Sequence, residues 1–211
     1  MRDIPVFSTE LGVASLLIKD VPNSGTAYIK IRSSMEADAF LKECIGFCKA
    51  VGATRILACG DDCLQSYAHF VDVLIFKRDQ LEDEDIALLF PVQEHTLDLW
   101  LDIYNKAMVG VTMASRLTRA DGIKLIKEGS AYFVHQDNRL LGIGVVSEGL
   151  VEAIAACEAG CGKIVMKTLC SALSSDVVCV EVASDNTRAI RLYEKLGFVN
   201  VGIKESWYQV T

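Results

Sequence analysis

Apolar residues recur along the chain in two rhythms. Unbroken or alternating apolar runs mark strands at residues 13–18, 27–32, 55–59 and 71–76. Between the first two, Pro22, Asn23 and Gly25 supply turn chemistry. Helical spacing appears instead over residues 35–51, where Phe40, Leu41, Cys44, Ile45, Phe47 and Cys48 form one stripe and Gly52 ends it. A polar stretch, 77–85, then closes on Glu82-Asp83-Glu84-Asp85 and reads as a boundary between halves. Beyond it the pattern gives a strand at 86–90 stopped by Pro91, and a helix over 96–108 with Leu97, Trp100, Leu101 and Tyr104 on one side. A second helix follows Thr118, with Asp121 three residues on as a capping-box partner. Strands at 131–136 and 140–146 flank the hairpin turn Asp137-Asn138, and a third runs 150–156. The loop 157–162 opens a helix over 163–173. A strand at 177–183, a helix capped by Asn186 or Asp185 and ending at Leu196-Gly197, and strands at 198–204 and 207–210 complete the chain.

Strand and helix therefore alternate in a mixed α/β chain. Residues 27–76 and 150–204 share the order strand, helix, strand, short segment, strand, which suggests duplication. At 211 residues the chain is longer than one typical domain and shorter than two. Half of it is apolar, enough for a sizeable core without a disulfide scaffold.

Charge narrows the function. Lys and Arg total 21 against 28 Asp and Glu, a net −7. Nine basic and fourteen acidic residues precede position 91, and twelve and fourteen follow, so neither half is basic. Phosphate neutralisation needs basic clusters, so nucleic acid is not the expected partner. No apolar run reaches the ~18–20 residues that span a bilayer, and no signal core follows Met1, so a cytoplasmic protein is expected. The eight cysteines lack the C-x2-C spacing of structural zinc sites; they read as reduced thiols, mostly small buried hydrophobes, and no metal site is expected.

Two segments carry chemistry. Gly160-x-Gly162 lies between a strand and a helix, where a bare backbone and unpaired N–H groups receive phosphate, with Lys163 and Lys167 adjacent. Val165 occupies the place of a third glycine, so this is not a dinucleotide fingerprint. The second segment runs from Asn186 through Ala189, Leu192, Tyr193, Glu194 and Lys195 to Gly197-Phe198. Its i, i+3, i+4, i+7 spacing also suits a plain core helix.

This second segment resembles the late region of the GNAT superfamily of acyl-CoA N-acyltransferases, which reads N-x-x-A-x-x-L-Y-E-K-x-G-F after a strand. The glycine loop stands 24 residues before Asn186 with one helix and one strand between, as in that family. The resemblance covers residues 86–211 and implies a GNAT-like acetyltransferase domain there. Residues 1–85 would be a partial, degenerate copy: Ser33-Ser34-Met35-Glu36 stands at its helix start instead of glycines, and Tyr67 lacks the K-x-G-F tail.

The resemblance further implies acetyl-CoA as co-substrate, its pyrophosphate on the N–H groups of Gly160, Cys161, Gly162 and Lys163. The pantetheine arm would pair with the strand at Ile154, Ala155 and Ala156. Tyr193 would protonate the departing thiolate as general acid, and Asn186 would help place the cofactor or a water. Glu152 is the candidate base for the incoming amine, ahead of Glu181. Cys157 stands where the family carries Gln or Arg, and the usual Pro of that loop is missing. The expected activity is N-acetylation of a small-molecule or peptide amine; the alternatives are an acyl-CoA sensor without catalysis and a cysteine-based metal or redox protein. An acidic surface favours a cationic acceptor, and a homodimer is compatible with all of this.

Overall fold

Phe40, Leu41, Cys44 and Cys48 are the residues that α2 (Ala37–Ala50) buries in the computed structural model, which describes residues 1–79 and 86–211. They form the expected stripe. The chain divides into two compact units, Met1–Val73 with Ile203–Thr211, and Leu74–Gly202. Sequence alone suggests a division after Asp85. Contacts place it earlier and send the last nine residues back to the first unit. The reason is that Lys77–Asp79, read as linker, still belong to a strand; the acidic run 82–85 lies outside the described residues.

The first unit contains β1 (Ile4–Thr9), β2 (Gly12–Leu17), a one-turn helix α1 (Val21–Ser24), β3 (Thr26–Ser34), α2, β4 (Arg55–Cys59), the start of β5 (Ala68–Asp79) and the end of β11 (Val199–Gln209). Its strands follow the order β1-β2-β3-β4-β11-β5. One face packs on α2 through Leu16, Ile29, Ile31, Ile56 and Ala58. Gly12 permits this contact, because a Cβ there would lie 2.8 Å from the Phe40 ring. Burial pushes the thiols of Cys44 up to about 12 and of Cys48 and Cys59 up to about 11. They stay protonated, as apolar packing requires.

Three local readings change. The segment expected as a turn at 21–25 coils into α1, with Pro22 in its first turn and Gly25 at φ +69° ending it. β1 carries no alternation that marks a half-buried strand: all six of its positions are exposed or at intermediate depth. The two final strands are one, because Glu205 and Ser206, which read as a polar break, are satisfied inside the sheet. Glu205 pairs with Lys30, and the Ser206 hydroxyl donates to Asp72 at 2.7 Å.

The second unit holds β6 (Leu88–Pro91), α3 (Leu97–Ala107), α4 (Arg119–Glu128), β7 (Ala131–Gln136), β8 (Arg139–Ser147), β9 (Leu150–Ala156), α5 (Gly162–Ser171), β10 (Val177–Ala183) and α6 (Thr187–Lys195), with the remaining parts of β5 and β11. Strand order is β6-β7-β8-β9-β10-β5-β11. Pairs from β6 to β9 are antiparallel and β9 with β10 is parallel. Each sheet face has its own core. Leu97, Trp100, Leu101 and Tyr104 of α3 cover Phe133, Ile143 and Val145. On the other face Val165, Met166 and Leu169 of α5, with Tyr193 of α6, cover Val146, Val151, Val178 and Val180.

Two glycines of β8 set the height of α5 above the sheet. A Cβ on Gly144 would lie 2.3 Å from Leu169 Cδ1, and one on Gly142 2.8 Å from Val165 Cγ2. Gly144→Val therefore forces α5 outward; it is expected to destabilise the fold by about 1–3 kcal/mol, read as a lower urea midpoint at unchanged slope.

Candidate functional site

The site begins where two strands part. β10 and β9 are in register only at Cys179↔Leu150 and Val180↔Val151. Past that point they no longer pair, while β9 remains bonded to β8 through Ala153↔Val145 as far as Ala156↔Gly142. Ile154, Ala155 and Ala156 thus keep one paired edge and turn the other toward the gap. A strand edge of this kind pairs with an extended chain bearing amides.

Glu152 stands at the vertex of the gap and is a bulge residue. β8 partners jump from Val145↔Ala153 to Val146↔Val151, leaving Glu152 without a counterpart. A bulge re-aims a side chain. Ile154 packs toward α5, so strict alternation would send Glu152 there too; instead Glu152 lines a cavity with α4 residues. Its Oε1 accepts a hydrogen bond from the Ser147 hydroxyl. The carboxylate also acts on Tyr104, whose phenol is pushed up first by burial, then by Glu152 and Asp121. The cavity measures about 640 Å³ and is walled by Leu117, Asp121, Glu128, Ser130, Glu148 and Glu152 among others. Asn105 pins its Leu117 wall, accepting from the Leu117 N–H at 2.8 Å and donating to its carbonyl at 3.0 Å.

The open ends of β9 and β10 lead to two helix N-termini. α6 is capped: Asn186 Oδ1 accepts from the Ala189 N–H at 3.2 Å. The start of α5 has neither a side-chain cap nor an acidic residue in its first turn. First-turn N–H groups have no intrahelical partner, so Gly162, Lys163 and Ile164 present donors and a positive dipole end to an anion. Gly160 turns the chain at φ +91°, a left-handed conformation that favours glycine. Cys161 is the N-cap residue and partly buried, and Cys157 is exposed.

The helix start at the equivalent place in the first unit differs in charge and strand geometry. Asp38 lies in the first turn of α2 and Glu36 is its N-cap residue. β3 and β4 stay paired over all of β4, from Thr26↔Arg55 to Lys30↔Cys59, so no gap opens between them.

Tyr193 is 6% exposed, its ring packed on Phe76 at 6.2 Å and Phe198 at 5.9 Å. Burial, with a smaller contribution from Cys170, pushes its phenol up to about 12. Among the described residues its hydroxyl makes no hydrogen bond. Of the other candidate, Glu181, the side chain is partly buried on β10. Among the described residues no three His, Cys, Asp or Glu side chains converge as a metal site requires, and no helix is long and apolar enough to cross a membrane.

Several solved structures of similar fold are described as GNAT proteins or acetyltransferases. One from Colwellia psychrerythraea, described as an acetyltransferase of the GNAT family, aligns with a TM-score of 0.58 at 11% identity over 98% of this chain and 84% of its own. This protein has a GNAT-like fold. A tandem GNAT protein from the clavulanic acid biosynthesis pathway aligns equally well, TM-score 0.58, at 13% identity over 94% of this chain and 78% of its own. A GCN5-related N-acetyltransferase from Sphaerobacter thermophilus gives 0.56 at 8% identity over 93% and 75%. No family model and no curated protein matches the sequence. The GNAT-like fold is thus preserved where sequence similarity is almost gone. Positions that sequence reasoning missed are Tyr104, Ser147 and the Gly142/Gly144 pair. Only a G-x-G inside a strand pattern hinted at the last.

Proposed function

We propose that the second unit is an acetyl-CoA-dependent N-acetyltransferase. The observation that carries this reading is the gap between β9 and β10, which starts at the bulged Glu152 and opens toward the uncapped, acid-free first turn of α5. Pantetheine amides would pair with the free edge of Ile154–Ala156, and the pyrophosphate would rest on the N–H groups of Gly160, Cys161, Gly162 and Lys163. Asn186, already spent on capping α6, contributes the rigidity of the opposite wall.

In the reaction the acceptor ammonium loses a proton to Glu152, directly or through water. The amine lone pair then attacks the thioester carbonyl, the C–S bond breaks, the thiolate takes a proton from Tyr193, and the second proton shed by the acylated nitrogen restores the phenol through water, while Glu152 returns its proton to solvent. The products are the N-acetyl amine and CoA. A phenol held near 12 stays protonated at neutral pH; the same apolar surroundings raise the basicity of a thiolate beside it, which keeps the transfer in reach. Holding both reactants in line supplies much of the acceleration.

The first unit is, on this reading, a degenerate copy without a cofactor site. Unbroken β3/β4 pairing and the carboxylates at the start of α2 support that role, and so does the match of a tandem GNAT protein over most of the chain. A thiol-release assay with acetyl-CoA over a panel of amines tests the activity. CoA release dependent on amine is expected; saturable acetyl-CoA binding with no release from any amine would make the protein an acyl-CoA sensor instead.

A further inference from the structure

Resting on that reading, we propose that the α3–α4 loop is a strap latched across the mouth of the β9–β10 gap, and that its latch opens to let acetyl-CoA in and CoA out. The latch is one long-range contact: the Thr112 hydroxyl donates to Asp185 Oδ2 at 2.6 Å. Asp185 stands between the end of β10 at Ala183 and Asn186, the N-cap residue of α6. It marks the β10 side of the mouth. The loop begins and ends on the other side. Met108 and Leu117 pack on the core that holds Ala153 and Ala155 of β9. The chain therefore leaves the β9 side, touches the open end of β10 with its tip, and returns.

The base of the strap is fixed more firmly than its tip. Asn105 holds Leu117, twelve residues on, by two hydrogen bonds of 2.8 and 3.0 Å. Residues 106–116 are in this way a compact loop whose ends are close together. Two features let the tip move. Met113, next to the latch, holds φ +65°, a left-handed conformation that costs energy in a residue bearing a Cβ; release of the tip relaxes it. No residue from 107 to 115 carries a charge, so these side chains make no ion pair that would anchor the loop, and Val109 already stands 80% exposed. Latched, the strap keeps water from the thioester. Released, it clears the path of the cofactor.

The test uses Thr112→Val, which keeps the shape of the side chain and removes the hydroxyl, and Thr112→Ser, which keeps the hydroxyl. Peptide-resolved amide exchange of the free chain reads the latch. Surface plasmon resonance on the immobilised full chain reads the association and dissociation rates of acetyl-CoA. In Thr112→Val, exchange over residues 108–116 is expected to rise about five- to tenfold, the weight of one hydrogen bond. Both acetyl-CoA rates should rise by a similar factor, because the fraction of open molecules rises with them. Kd should stay within about twofold, since the latch closes over the free and the loaded protein alike. Thr112→Ser should match the wild type throughout. Unchanged exchange over 108–116 in Thr112→Val overturns the latch. Faster exchange with both rates unmoved overturns the gate and leaves the cofactor site standing. No acetyl-CoA binding to the wild type at millimolar ligand removes the transferase reading, and the gate with it.

Discussion

Replacing Gly162 with Asp is expected to weaken acetyl-CoA binding about a hundredfold while leaving the thermal midpoint no lower than that of the wild type. Gly162 is the first residue of α5, and a Cβ there would meet only Leu192 Cδ2 at an ordinary 3.4 Å. The fold therefore accepts a side chain. An acid in the first turn also suits the helix dipole, worth about 0.3–1 kcal/mol. A bound pyrophosphate meets that same carboxylate as a like charge. At ~5 Å and an effective dielectric of ~20 the repulsion is about 3 kcal/mol, or two orders of magnitude in Kd. Gly162→Asn, similar in shape and uncharged, should bind within a few-fold of the wild type. Calorimetry and a thermal melt on the same three proteins read both effects, and wild-type affinity in Gly162→Asp would remove the α5 start from the site. Gly160 is a poorer probe, since its φ of +91° makes any substitution strained.

Tyr193→Phe is expected to lower kcat by about 10²- to 10⁴-fold, the usual contribution of a general acid, with acetyl-CoA affinity changed less than about threefold. The ring contacts with Phe76 and Phe198 survive the substitution, so stability is retained. Because burial pushes this phenol up to about 12, it stays protonated through the neutral and mildly alkaline range. An alkaline fall in kcat below pH ~11 must then come from another group. Rapid-mixing measurement of CoA release, with and without the hydroxyl, isolates the step. An unchanged kcat would show that the thiolate takes its proton elsewhere and would leave Tyr193 as a core residue.

Local signals carried much of the site. Asn186, the stripe from Ala189 to Leu196 and the glycine ending α6 are all neighbours in sequence, and the capping bond and helix follow from them. The Thr118/Asp121 capping box is legible for the same reason. What escaped depends on partners far along the chain. The bulge at Glu152 is a mismatch with β8 and cannot be seen in β9 alone. The gap beside it exists because β10 leaves β9 after two pairs, a fact of two strands separated by a helix. Tyr104 reads as one more apolar face residue of α3 until the fold brings Glu152 and Asp121 near its hydroxyl. The division by contacts is not legible in charge, because the path of β5 and the return of β11 decide which residues pack together.

Acetyl-CoA is expected to enter between β9 and β10 with its phosphates at α5. Peptide-resolved amide hydrogen exchange of the whole chain, with and without saturating acetyl-CoA, tests it most directly. Slowed exchange concentrated in residues 152–156 and 160–165 is expected. Slowing confined to residues 26–36 and 55–60 of the first unit, or none anywhere at saturation, would contradict it.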